Sequence, residues 1–246
     1  EILIGLVGSE MCIRDSISPD VLIKRMRESY KNKKYLSYDI EKWQINEIER
    51  LRDYCHKNNK DFYVIDNPKD NFFTDVTEVV KFINAIVNGF SCKRFAADCA
   101  EKILNCTDSE EITLLDGDKT ITKEDSSHAV FGYTTHIYDG NFYTGFQSWR
   151  QAEEFKTYCF DDLKELPVGL NEKVCKVLNM DSFILTSGHE RVWNFISDYL
   201  GVLYFAGVEM SAETKFFITK KLQEAGKTVI AYGDGMNDYY MLKQAD

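Results

Sequence analysis

The spacing of hydrophobic residues changes once along the chain, near residue 105. From Ser18 to about Asn105 the apolar residues recur mostly every three or four positions, which places them on one face of an α-helix. After Asn105 they come in short β-rich runs, each followed by a helical pattern: EITLLD, DSFILTSG, VLYFAG and KTVIAYGDG. Such alternation is typical of βαβ units. The sequence therefore predicts an α/β fold with a parallel sheet flanked by helices.

This change of pattern divides the chain into predicted segments. Residues 1–16 resemble a peptide that arises when library-adaptor sequence is translated, so we expect this segment to be non-native. Residues 17–108 are predicted to form a mainly helical accessory region of unknown role. Within it, FYVID at 62–66 is the one strand-like run. Residues 109–246 are predicted to form the sheet domain.

The composition is that of a folded globular protein. Hydrophobic residues make up 44% of the 246-residue chain and charged residues 28%. The formal net charge of −10 repels nucleic acid and anionic membranes, so we expect neither as a partner. No apolar run approaches the roughly 20 residues that a membrane-spanning helix needs. An anionic substrate would require a local positive site.

The spacing of the cysteines predicts reduced thiols and not a metal site. The chain has seven cysteines and no CxxC pair, and Cys92, Cys99 and Cys106 recur at a spacing of seven within one helical stripe. We expect these three to be buried in a helix rather than to bind zinc. Free thiols favour a cytoplasmic location.

Polar residues follow three of the predicted strands. Asp116, Thr186 and Asp234 each lie where a strand-like run ends, and the carboxyl ends of parallel strands meet at one edge of a sheet. Asp118 adds a second carboxylate two residues after Asp116. A plain turn would explain this pair of carboxylates, because Asp and Gly are turn formers. A catalytic site would explain it equally well.

Four segments resemble the motifs of the haloacid dehalogenase-like superfamily. DGDKT resembles its DxDxT motif, GDGMND resembles its distal GDxxxD motif, and FILTSG and a lysine of SAETKFFITKKL fit the two motifs between them. The order of these four motifs, their positions at strand ends and their spacing match the family pattern over residues 110–246. The resemblance is closest to the phosphoserine phosphatase-like branch. It implies a Rossmann-like core with a small cap at about residues 123–166, and a further strand beyond Asp246, so we expect the C-terminus to be truncated.

The resemblance also implies an activity, that of a Mg²⁺-dependent phosphomonoester hydrolase acting on a small phosphorylated metabolite. Asp116 would be the nucleophile that forms an aspartyl-phosphate intermediate. Asp118 would protonate the leaving alcohol and later deprotonate water. Mg²⁺ would be held by the Asp116 side chain, the Asp118 backbone carbonyl and Asp234, with Asp238 behind them.

Two of the implied roles have competing candidates. Thr186 is expected to donate its hydroxyl to the phosphoryl group, with Ser187 as the alternative. Lys215 is expected to hold the same group, with Lys220 as the alternative on the same helix. The remaining residues expected to contact phosphate are Thr120, Ser187, Gly188 and Asn237.

The sequence departs from the family pattern at two positions. Lys119 stands where glycine is frequent, and would add positive charge near the mouth of the site. His189 follows Gly188 where phosphoserine phosphatases have a second glycine, so phosphoserine is not assigned. In that subfamily an acidic residue grips the substrate ammonium, a role for which Glu124 and Asp125 are candidates here.

Two other functions stay open. A phosphotransferase would pass the phosphoryl group from Asp116 to an acceptor other than water. A non-catalytic binding or regulatory module would use the same scaffold without chemistry. Three histidines show no metal-ligand spacing and are expected to be surface or helix-cap residues: His128, His136 and His189.

Overall fold

The computed structural model describes residues 11–29, 33–58, 60–67, 76–132, 145–158, 162–207 and 209–246. The chain forms two compact units, residues Glu1–Phe90 and Ser91–Asp246. The first unit contains β1 (Met11–Ile17), α1 (Pro19–Glu28), a 3₁₀ helix (Lys33–Ser37), α2 (Ile40–Lys57), β2 (Asp61–Asn67) and α3 (Val76–Val87).

In the first unit two parallel strands accompany the helices. β1 pairs with β2 in register from Met11–Asp61 to Ile17–Asn67, and β2 confirms the strand predicted at FYVID. Tyr63 on β2 packs edge-on against Phe82 of α3, with ring centroids 5.6 Å apart. The proposal that residues 1–16 are non-native stays a prediction.

The second unit is built on a parallel sheet. Its elements are α4 (Cys92–Cys106), β3 (Glu111–Asp116), α5 (Ser126–Phe131), α6 (Gly145–Phe155), α7 (Glu172–Cys175), β4 (Ser182–Thr186), α8 (Glu190–Leu200), β5 (Leu203–Ala206), α9 (Ala212–Glu224), β6 (Thr228–Tyr232) and α10 (Tyr239–Gln244). The four strands lie in the order β5-β4-β3-β6, all parallel. The predicted α/β fold with a parallel, Rossmann-like sheet is confirmed.

Alternate residues of the two central strands pack on opposite faces of the sheet. Leu114 of β3 and Leu185 of β4 lie in one core with α4, α9 and α10, whereas Leu115 and Ile184 lie in another core with α8. All four side chains are fully buried. Burial on both faces explains why these strands are almost continuously apolar in the sequence.

Helix α4 belongs to the sheet unit. The boundary expected at residue 108 lies instead at Phe90–Ser91, because Cys99 and Ile103 of α4 are buried in the core that covers one face of the sheet. Cys92 and Cys99 are buried free thiols, as predicted. The prediction is wrong for Cys106, which is exposed because it is the last residue of the helix.

The region predicted as the cap, residues 123–166, is described in part. Helices α5 and α6 fall within it, while residues 133–144 and 159–161, with His136 among them, lie outside the described residues. The two ends of this region are tied to each other. Thr122 forms an antiparallel bridge with Leu170, and the Lys123 N–H donates to the Gly169 carbonyl at 2.8 Å.

Among the residues described, no helix is both long enough and apolar enough to cross a membrane.

Candidate active site

Three strand ends deliver carboxylates and hydroxyls to one edge of the sheet. β3 ends at Asp116 and β4 ends at Thr186, while β6 ends at Tyr232, two residues before Asp234. Oxygen atoms of Asp116, Asp234 and Asp238 all lie within 4.8 Å of one another. The structure thus brings together acidic residues from separate strands, as the sequence pattern predicted.

A buried lysine links two of these acids. Lys215 is fully buried on α9, and its Nζ lies 2.5 Å from Oδ1 of Asp116 and 2.7 Å from Oδ1 of Asp238. Ser211 caps this helix by accepting a hydrogen bond from the Thr214 N–H, so Lys215 projects from the first turn. Lys220, the alternative, is half-buried, and its Nζ lies 3.8 Å from Oε1 of Glu224. Of the two lysines, only Lys215 lies in the site.

In the cluster of Asp116, Asp234 and Asp238, three carboxyl groups face one buried ammonium, that of Lys215. Burial raises the pKa of Asp116 to about 7, although the Lys215 ammonium opposes the rise. Burial acts to lower the pKa of Lys215, but the two carboxylates outweigh it and raise that pKa. Burial and the nearby Asp238 also raise the pKa of Asp234. The site therefore holds more negative charge than its buried ammonium compensates.

The GDGMND loop is organised by Asp238. Its Oδ2 accepts hydrogen bonds from the backbone N–H groups of Asp234 and Gly235, both at 3.2 Å. A β-carbon on Gly233 would lie 2.4 Å from Cβ of Asp238, so this close approach requires glycine. Both oxygens of Asp238 therefore have partners, which suits a residue that orients Lys215 and the Asp234 backbone.

The side chain of Asp118 has a hydrogen-bond partner outside the three-acid cluster. Its Oδ1 accepts a hydrogen bond from the Ser126 N–H at 2.8 Å, at the start of α5. Burial raises the pKa of Asp118 to about 6, and hydrogen bonding from Ser126 limits the rise. Two carboxyl groups two residues apart thus have different surroundings, as expected of a nucleophile and a proton carrier.

The loop after β3 has an unusual backbone at Lys119. Its φ of 62° is the only positive φ among the described non-glycine residues. This explains why glycine would be favoured at the position, since a side chain there is sterically strained. Lys119 is exposed, and its charge acts to lower the pKa of Asp234. The expected positive charge near the mouth is therefore present.

The hydroxyls of Thr186 and Ser187 are engaged differently. Ser187 Oγ donates to the Met210 carbonyl at 2.6 Å and accepts from the Asn237 amide at 3.0 Å. Thr186 Oγ1 accepts from the Gly188 N–H at 3.0 Å, which leaves its own proton to donate. This arrangement favours Thr186 as the donor to a phosphoryl oxygen.

Two buried oxygens in the loops at this sheet edge, Thr120 Oγ1 and Asn237 Oδ1, complete no hydrogen bond within the described part of the chain. Buried polar groups are normally paired, so these two oxygens are available to a polar ligand. The expected roles of Thr120 and Asn237 agree with this.

The donor set fits a hard divalent cation. Mg²⁺ prefers carboxylate oxygens as ligands. Asp116, Asp234 and Asp238 offer oxygens of this kind within 4.8 Å of one another, so they would suit such an ion. The excess of carboxylates over ammonium groups supplies the electrostatic reason for a cation.

Glu124 and Asp125, the two candidates for gripping an ammonium, have structural partners. Glu124 Oε1 accepts a hydrogen bond from the Gly169 N–H at 3.0 Å, and Asp125 caps α5 by accepting from the His128 N–H at 2.9 Å. Nothing in these contacts favours an ammonium site.

His189 is only partly as predicted. It stands at the N-cap position of α8, but its ring is buried between Phe131 and Phe155, with centroids 5.3 and 5.2 Å away. Burial lowers its pKa. His128 is exposed, as expected.

Two residues near the site were not predicted, Ser126 and Trp193. Trp193 is fully buried on α8, and a β-carbon on Gly117 would lie 2.4 Å from its ring. A β-carbon on Gly188 would lie 2.2 Å from its Nε1. In the sequence the only signal for Trp193 is this pair of strand-end glycines, each of which makes room for a large neighbour.

Comparison with protein-family models, curated proteins and solved structures finds no match to this chain.

Proposed function

We propose that this protein is a Mg²⁺-dependent phosphomonoester hydrolase of the haloacid dehalogenase-like superfamily. Its substrate would be a small phosphorylated metabolite. One observation supports the proposal most strongly: the buried Lys215 ammonium bridges Asp116 and Asp238, at a sheet edge where Asp234 also meets them. Residues from two strand ends and one helix are thereby assembled around one point.

Asp116 is the proposed nucleophile. One of its carboxylate oxygens forms a bond to the phosphorus of the ester as the bond from phosphorus to the leaving oxygen breaks. Lys215, already 2.5 Å from this carboxylate, is placed to neutralise charge that develops on the phosphoryl oxygens. The Thr186 hydroxyl donates to one of those oxygens.

Asp118 is the proposed proton carrier. Its proton passes to the leaving alkoxide oxygen, which departs as an alcohol. The resulting Asp118 carboxylate then takes a proton from the water that attacks phosphorus and releases Asp116. A folded-state pKa of about 6 suits a group that must both give and accept a proton near neutral pH.

The metal would be held by Asp116 and Asp234, with Asp238 orienting the loop that carries Asp234. When bound, it would offset the repulsion between a carboxylate nucleophile and an anionic phosphate. The participation of the Asp118 carbonyl stays a prediction.

The test is hydrolysis of p-nitrophenyl phosphate by the purified chain, with Mg²⁺ and with EDTA. We expect turnover that requires the metal and that falls at least 10³-fold in Asp116→Asn. Lys220→Gln serves as the matched control, because it changes a half-buried lysine on the helix that carries Lys215. Metal-independent turnover that survives in Asp116→Asn contradicts the proposal.

Two alternatives are separated by the same assay. A phosphotransferase would form phosphorylated products when alcohols are added, whereas a hydrolase releases only phosphate. A binding module would show no turnover with any phosphate ester, even though the protein is folded by circular dichroism.

A further inference from the structure

Trp193 lies between the loops that follow the two central strands. A β-carbon on Gly117, after β3, would lie 2.4 Å from Cζ2 of the indole, and one on Gly188, after β4, would lie 2.2 Å from Nε1. The side chain is fully buried. Its ring therefore fixes the spacing between the loop of the proposed nucleophile and the loop of Thr186.

The polar edge of this ring is turned toward Asp118. A β-carbon on Gly188 would lie 2.9 Å from Oδ2 of Asp118, so Oδ2 and the indole nitrogen border the same small space. Hydrogen bonding from the Trp193 side chain acts to lower the pKa of Asp118, against the larger rise that burial causes. The other oxygen, Oδ1, is already held by the Ser126 N–H.

A buried N–H donor needs an acceptor, and Oδ2 of Asp118 borders the same space as the indole N–H. The space bordered by Trp193 Nε1 and Asp118 Oδ2 lies at Gly188, one of the residues expected to contact phosphate. With Oδ2 held by the indole N–H, both oxygens of Asp118 have a donor, one from Ser126 and one from Trp193.

We propose that Trp193 is a positioning residue, whose indole N–H holds Oδ2 of Asp118 in line with the leaving oxygen of the substrate. This inference rests on the proposed function, because it assigns Trp193 a part in the proton transfer by Asp118. Trp193 itself touches neither phosphorus nor the metal. Trp193 would affect only the transfer of one proton from Asp118 to the leaving oxygen as the ester bond breaks.

The leaving group separates this role from a purely structural one. p-Nitrophenolate departs without a proton, whereas phenolate, a much stronger base, depends on protonation by Asp118. For Trp193→Phe we expect kcat on phenyl phosphate to fall about ten-fold or more, with p-nitrophenyl phosphate affected less than about three-fold and KM unchanged on both. An equal fall on both substrates, or no fall on either, overturns the proposal.

Two controls complete the experiment. Ile196→Val removes packing from the same helix and core without removing a donor, so it should affect both esters equally. In an Asp118→Asn background, Trp193→Phe should cause no further loss on phenyl phosphate, because its effect passes through Asp118. A further loss of the same size in that background contradicts the proposal.

If Trp193→Phe fails to fold, benzothienylalanine at position 193 keeps the ring size and removes only the N–H, and the same two outcomes apply. Failure of the proposed function is recognised separately. In that case the wild-type protein shows no turnover of p-nitrophenyl phosphate that depends on Asp116, and both proposals fall together.

Discussion

Replacing Lys119 with glycine is expected to stabilise the sheet unit. Lys119 has a φ of 62°, in the left-handed region, which costs an L-residue about 1–2 kcal/mol. Glycine adopts this backbone without steric cost, but loses about 0.5–1 kcal/mol more conformational entropy on folding. The attraction between the exposed Lys119 and Asp234 is worth only a few tenths of a kcal/mol. The net expectation is a gain of about 0.5–1 kcal/mol in the free energy of unfolding.

This gain is measurable by thermal unfolding in EDTA. In a chain of this size 1 kcal/mol shifts Tm by about 2–4 °C, so Lys119→Gly should raise Tm by about 1–4 °C. Lys123→Gly is the matched control, since Lys123 is also exposed, has a negative φ and pairs through its N–H with the Gly169 carbonyl. That change should cost about 0.5–1 kcal/mol. A lower Tm for Lys119→Gly, or the same shift in both variants, would refute the reasoning.

Three further predictions concern the site. Gly233→Ala should cost about 1–3 kcal/mol by urea unfolding because its β-carbon meets Asp238 at 2.4 Å, whereas Gly235→Ala, which meets no atom within 4 Å, should change little. Lys215→Gln should lower the free energy of unfolding in urea by about 3–5 kcal/mol, because it leaves buried carboxylates unpaired. The control Lys220→Gln should lower it by less than about 0.5 kcal/mol, and equal effects of the two changes would contradict this reasoning. In EDTA, Tm should fall as pH rises from about 4 to about 6.5 more steeply in the wild type than in Asp118→Asn. The reason is that the raised pKa of about 6 makes the folded state hold the Asp118 proton more tightly than the unfolded state, and equal slopes in the two proteins would contradict this.

The sequence predicts the parts of this site that depend on local pattern. Asp116 and Thr186 follow apolar runs of strand length, and parallel pairing brings the ends of such runs to one edge of the sheet. The sequence offers both Lys215 and Lys220 as the lysine that contacts the phosphoryl group. Helical geometry separates the two, because only a residue in the first turn of α9 reaches the strand ends.

The remaining features depend on packing between segments that are distant in the sequence. Trp193 has the appearance of an ordinary core residue of an amphipathic helix, and its position beside Asp118 results from the packing of α8 against the loops at Gly117 and Gly188. The helical spacing of residues 92–106 by itself predicts that α4 belongs to the accessory region. Only its burial against the sheet shows that it belongs to the second unit.

The central claim, a covalent phosphoryl group on Asp116, can be tested directly. The protein is mixed with Mg²⁺ and p-nitrophenyl phosphate, quenched during turnover and treated with borohydride, which reduces an acyl phosphate of aspartate to homoserine. Peptide mass spectrometry should then find homoserine at position 116, and none without substrate or in Asp116→Asn. Turnover with no modification at position 116, or with homoserine at a different position, would contradict the account.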